Sequence, residues 1–373
     1  MLVPMRVLLL IAAALAAQEL PDYDALRKTA HAAYLKGDYA SSRQALEQAW
    51  EMVQQTDPSE PKRYDTLKQL SGVLSAAGDY AAAQNYVELA IRWRENIDRS
   101  DPKIADEYIE LASLCQRQKD FARALELLGS ALRIHSRQNP PNVQMADDLS
   151  RVALIYMEQK KPTEATPPLE TAISIREQVL GAEHPSILGE LDRLGAIWIA
   201  LREYAKAEDT FRRALIIRER LLGPNDAGLI STVEGLAYAQ FGQKKYAEAE
   251  PGYKRLLGLW ALSTGDPTHP MVAMTYDKMA VFYRAQDRWE EGTAAAESAN
   301  ALRAIFFATG LSQEATARQA HGDKQDAARL FAQALASLDE SHPEHAEFRK
   351  QLEQNLAELQ IEVKPRRVPL KKK

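Results

Sequence analysis

Seven histidines and a single cysteine have the widest chemical range in this 373-residue sequence. His184, His269 and His342 each stand directly before a proline, which is where a loop hands over to a helix. His342 and His345 make an i,i+3 pair, but a zinc site needs three or four ligands, and no further His or Cys stands close by in the sequence to complete one. His-Glu-x-x-His, Gly-x-Ser-x-Gly, a phosphate-cradling Gly loop and a recognisable Cys–His pairing are all missing. The expectation is a protein that is not an enzyme and uses no metal or cofactor. Cys115, being alone, leaves stability to packing rather than to a disulfide framework.

The residues that do recur are those that drive association. Asp192, Glu234 and Asp277 form an acidic series, and Leu154 and Met157, Ile199, Tyr238 and Phe241, and Val281 and Arg284 recur beside it at fixed offsets. Those offsets are measured from Ser42, Ala83, Ala124, Ala165, Ala207, Ala249, Gly292 and Ala327, spaced 41, 41, 41, 42, 42, 43 and 35 residues apart. Twelve residues before each anchor stands Ala, Gly or Ser, from Ala30 to Ala315; seven after it the residue is again Ala except at Leu256. Small residues at these offsets let two antiparallel helices approach closely. Three before the anchor the residue is mostly aromatic, as at Tyr39, Tyr80, Phe121, Tyr204, Tyr246 and Trp289.

This pattern resembles the tetratricopeptide repeat, a helix-turn-helix unit. The long period and the phrases at residues 172–185 and 235–257 are similar to the subclass found in kinesin light chains and many bacterial proteins. The resemblance covers roughly residues 24–338. It implies an all-α, right-handed α-solenoid of eight repeats over residues 23–341, used as a protein-interaction scaffold. The chain departs from the light-chain pattern at the pair of Asn residues before the Leu-Ala step, where it has Asp192-Arg193, Glu234-Gly235 and Asp277-Lys278.

By the same resemblance, the residues eleven and eight before each anchor face a concave groove. In repeats four to seven these are Leu154 and Met157, Ala196 and Ile199, Tyr238 and Phe241, and Val281 and Arg284; in repeats one to three they are His31 and Tyr34, Gly72 and Ser75, and Ser113 and Gln116. The groove thus changes from polar to apolar along the chain. With Asp192, Glu234 and Asp277 flanking the apolar floor, a partner peptide or helix with apolar side chains and Lys or Arg would be complementary. Two alternatives stay open at this point: twist buries the apolar residues against the next repeat and leaves the acids solvated, or a second copy of the chain fills the groove. A regulatory module of an envelope enzyme complex is the remaining alternative reading.

The ends differ in kind. Residues 1–17 read as a secretory signal peptide, with Arg6 ahead of an apolar run of eleven and Ala14-Leu15-Ala16 as the small-x-small cleavage pattern; a secreted or periplasmic location follows, with no membrane span in the mature protein. Residues 342–362 read as an amphipathic capping helix, with Phe348, Leu352, Leu356 and Leu359 on one stripe. Residues 363–373 carry six cations and two prolines and read as a disordered basic tail able to touch a polyanion. The net charge is −5, and setting aside those six cations and Arg6 leaves −12. A body that acidic argues against nucleic acid as a partner, because such binding depends on neutralising phosphates.

Overall fold

The computed structural model describes residues 22–138, 141–340 and 342–359. The leader-like residues 1–17, the last residues of the expected capping segment and the basic tail lie outside the described residues. The helices are α1 (Tyr23–Leu35), α2 (Tyr39–Val53), α3 (Pro61–Ala76), α4 (Tyr80–Ile97), α5 (Ile104–Arg117), α6 (Phe121–His135), α7 (Val143–Glu158) and α8 (Pro162–Leu180). They continue as α9 (Leu188–Ala200), α10 (Tyr204–Leu222), α11 (Ile230–Gly242), α12 (Tyr246–Thr264), α13 (Pro270–Arg284), α14 (Trp289–Ala320), α15 (Lys324–Ala336) and α16 (Ala346–Glu358). Among the described residues there is no strand. The architecture is an α-solenoid of helix pairs in two compact units, Met1–Ala182 and Glu183–Lys373.

In both units the same turn joins the two helices of a pair. The residue five before each anchor takes a left-handed conformation: Gly37, Gly78, Lys119, Lys160, Arg202, Lys244, Asp287 and Gly322 all have φ between 59° and 84°. Only three of these are glycine, so five turns hold a side chain in a conformation that costs roughly 1–2 kcal/mol. An aspartate often starts the next helix: Asp38, Asp79 and Asp120 accept the backbone N–H of Ser41, Ala82 and Arg123 at 3.1, 3.1 and 3.2 Å, satisfying an otherwise orphaned donor.

Packing in the first unit follows the small-residue register. Ala30, Ser71, Ala112 and Ala153 are buried, and larger groups such as Leu46, Leu74, Leu128 and Ile155 fill the space between pairs. Cys115 is buried in the same core. In the second unit Phe211 on α10 is 5% exposed, and the tip of its ring meets both Gly195 on α9 and Gly235 on α11. A Cβ added at either glycine would lie 2.6 or 2.5 Å from the ring. Leu256, the exception to the small-residue rule, is itself buried; the close approach in that pair occurs at Gly252, where a Cβ would come within 2.9 Å of Ala237.

Two features depart from a regular alternation of helix pair and loop. No boundary falls near Leu311: α14 runs unbroken for 32 residues, serving as the second helix of pair seven and the first of pair eight. The 35-residue spacing is short because the loop between those pairs is absent. Second, the junction prolines do not all open helices. Pro270 starts α13, and Pro185 and Pro343 start short 3-10 turns ahead of α9 and α16. Pro58, Pro102 and Pro224 stay in the preceding loops. At the C-terminal end Leu352 and Leu359 are buried against Phe331 and Ala334, with Phe348 and Leu356 half-buried beside them, so α16 covers the last pair.

Candidate partner-binding site

Helices α11 and α13, each the first of its pair, carry Tyr238, Phe241 and Val281. The small residues Ala237 and Ala280 turn inward, and helical periodicity then turns Tyr238 and Val281 outward. They are 44% and 60% exposed, while Phe241 is half-buried. Between them opens a cavity of about 360 Å³ whose lining includes Glu234, Tyr238, Phe241, Asp277 and Val281, together with Tyr253 and Lys278. Five of the ten residues singled out from the sequence therefore share one site.

The floor is aromatic and fixed. Phe241 lies 5.7 Å from the buried Phe282 ring and 6.1 Å from Tyr246, and Tyr238 stands edge-on to both Phe241 and Tyr204 at 6.5 and 6.4 Å. Such contacts add about 0.5–1.5 kcal/mol per pair beyond area burial and hold the exposed rings in place. Burial pushes the Tyr253 hydroxyl well above its ordinary pKa, so it stays neutral. A second anchor holds α10, α11 and α12 together: the Glu208 carboxylate accepts from Lys245 and Gln243 at 2.7 and 2.8 Å and pairs with Arg212. Burial opposes its ionisation, but these hydrogen bonds and charges outweigh that and bring its pKa down to about 2.

The acidic row is present but already partnered. Asp192 is gripped by both guanidinium nitrogens of Arg218, one of them at 2.8 Å. Glu234 pairs with Lys278, and Asp277 takes two hydrogen bonds from Arg303 at 2.7 and 3.3 Å. Each charge that the sequence offers to a ligand is thus answered from within the chain.

The other residues singled out lie apart from this cavity. Ile199 on α9 is half-buried and Arg284 is exposed at the end of α13. Leu154 and Met157 are half-buried on α7 in the first unit. Three of the histidines have structural roles: His184 and His269 accept the N–H of Ser186 and Met271 through Nδ1, at 3.2 and 3.3 Å, and buried His345 makes hydrogen bonds to the backbone of Asp339 and Ala301. Among the described residues no group of His, Cys, Asp and Glu is arranged to hold a metal. No described helix is long and apolar enough to cross a membrane.

A larger cavity, about 670 Å³, lies between α1, α2 and α3 in the first unit. His31, Tyr34 and Gly72 line it, at the same offsets as Tyr238, Phe241 and Val281. The offsets alone mark these positions in the sequence, although repeats one and two place mostly polar or small side chains there.

Two tetratricopeptide repeat family models match the sequence, at residues 149–186 and 186–259. No curated protein matches it. Among solved structures, BtubC (BKLC) from P. vanneervenii is 20% identical, covering 65% of this chain and 93% of its own, with a TM-score of 0.49. A tetratricopeptide repeat protein from Parabacteroides merdae is 20% identical, covering 79% of this chain and 98% of its own, with a TM-score of 0.45. A signal transduction ATPase with numerous domains and a tetratricopeptide repeat sensor, from Pyrococcus horikoshii, is 16% identical over 74% of this chain and 41% of its own, with a TM-score of 0.53; at that identity the likeness is one of fold. Residues 149–259 thus match tetratricopeptide repeats, and the helix pairs on either side of them share the same turn and small-residue register.

Proposed function

We propose that this protein is a non-enzymatic interaction scaffold, holding a peptide or helix of a partner protein against Tyr238, Phe241 and Val281. Tetratricopeptide repeats generally mediate protein–protein interaction. The observation that carries the finer reading is the α11–α13 cavity, where apolar groups stand exposed while the charged rim is paired. In that arrangement affinity comes from an apolar anchor. A partner Leu or Phe side chain buried there contributes roughly 1.5–3 kcal/mol. A partner cation would have to displace Lys278 or Arg303 from its carboxylate, so charge contributes register and association rate more than affinity.

The test is affinity capture from envelope extract by the mature protein and by a Tyr238→Ala, Phe241→Ala double variant of equal helicity and monodispersity. A partner held by the first and lost by the second supports the site; identical captures by both rule it out. A second reading, self-association, is favoured by the apolar side chains of Leu262 and Phe307, which are 65% and 59% exposed. A mass independent of concentration across the micromolar range would eliminate it. We also infer a location outside the cytoplasm from the leader-like residues 1–17, and a polyanion contact by the basic tail. Recovery of the uncut chain from the cytoplasm would count against the first, and an unchanged envelope distribution after deletion of residues 364–373 against the second.

A further inference from the structure

The cavity between α1, α2 and α3 differs from the α11–α13 cavity in the state of its charges. Arg27 and Lys28 both line it, and among the described residues neither forms an ion pair. Arg27 donates to a neutral amide, Gln69, and lies 5.5 Å from the Tyr23 ring. Asp24 is the one carboxylate in the lining, and it pairs with neither cation, so two cations face one carboxylate. The floor is apolar, with Leu46 and Val73 contributing. The Ser42 side chain lines the same space while being fully buried, and its hydroxyl has no hydrogen-bond partner. A buried hydroxyl without a partner costs about 1–3 kcal/mol, and with Ser42 fully buried a ligand reaches it only if the neighbouring side chains move.

An apolar floor and unpaired cations at one place are features of a small-molecule site, and the volume lies within the range of about 300–1,000 Å³ usual for such sites. We propose that this cavity binds a small amphipathic carboxylate, with its apolar body on Leu46 and Val73 and its carboxylate against Arg27 and Lys28. The guanidinium fork suits a carboxylate because both oxygens can be met at once.

The test is calorimetric titration of the full chain with octanoate, with 1-octanol as its neutral isostere, with inorganic phosphate and with a free-acid tetrapeptide. The expected result is saturable octanoate binding at least tenfold tighter than octanol or phosphate. An Arg27→Gln, Lys28→Gln variant of unchanged helicity should lose at least tenfold, while Tyr238→Ala, Phe241→Ala should bind octanoate as the parent does. Equal binding of octanoate and octanol, an unaffected charge variant, or no binding of octanoate at millimolar concentration overturns the proposal. Tighter binding of phosphate assigns the site to inorganic anions instead, and tighter binding of the tetrapeptide assigns it to peptide termini; either result also overturns it.

Discussion

Replacing Gly235 by Ala tests whether the Phe211 ring sets how closely α10 approaches α11, the helix that carries Tyr238 and Phe241. The new Cβ would start 2.5 Å from the ring, about 1 Å inside ordinary contact. Because Gly195 meets the same ring tip, the ring has no free side to move into. Overpacking of this kind costs about 1–3 kcal/mol, offset by about 1 kcal/mol because Ala favours a helix interior over Gly. The expected net loss is about 0–2 kcal/mol. In a Phe211→Leu background the ring tip is gone and only the helix preference remains, so the same Gly235→Ala change should be neutral or stabilise by up to about 1 kcal/mol. The coupling from this double-mutant cycle is measured by urea unfolding, with amide hydrogen exchange on α10 and α11 locating the effect. An equal effect of Gly235→Ala in both backgrounds, or stabilisation in the parent, would refute the reasoning.

Two further predictions concern stability. Lys119→Gly and Lys160→Gly relieve left-handed turns at φ 64° and 59°; relief of about 1–2 kcal/mol outweighs the extra unfolded-state freedom of glycine, about 0.4–1 kcal/mol. Each should therefore raise stability by about 0.5–1 kcal/mol in urea unfolding, and a lowered midpoint would contradict this. Glu208, depressed to about 2 from its ordinary 4.5, stabilises the fold fully above pH 4.5. That contribution, on the order of 2–3 kcal/mol, is lost as pH falls from about 4.5 towards 2. Glu208→Gln should flatten this part of the pH–stability curve, and an unchanged slope would assign acid sensitivity elsewhere.

The helix pairs were legible because a close helix contact leaves a periodic mark, and Ala30, Ala112 and Ala237 could be read as buried from spacing alone. The turns were only half legible. Gly37 and Gly78 announce a left-handed residue, whereas Lys119 and Lys244 adopt the same conformation against their own preference, at the same place in the turn between two packed helices. The pairing of the acidic row was missed although a signal for it existed. Arg218 and Arg303 each stand 26 residues after the carboxylate they hold, eleven past their anchors. Repeat six has Trp260 there, and Glu234 turns to Lys278 instead. The unbroken α14 could not be told from the short spacing, since a missing loop and a shortened helix shorten a repeat equally.

Most neighbouring pairs in this chain are joined by loops, which bend under load and let one pair detach before the next. Helix α14 removes that freedom. At 1.5 Å per residue it is a strut about 48 Å long, shared by pairs seven and eight. Tension applied to the C-terminal end meets a member that cannot be peeled in halves, because cutting one pair loose means breaking the backbone ladder in the middle of a helix. The last two described pairs are therefore joined by a continuous helix with α16 packed over the end, where the other described pairs are joined by loops.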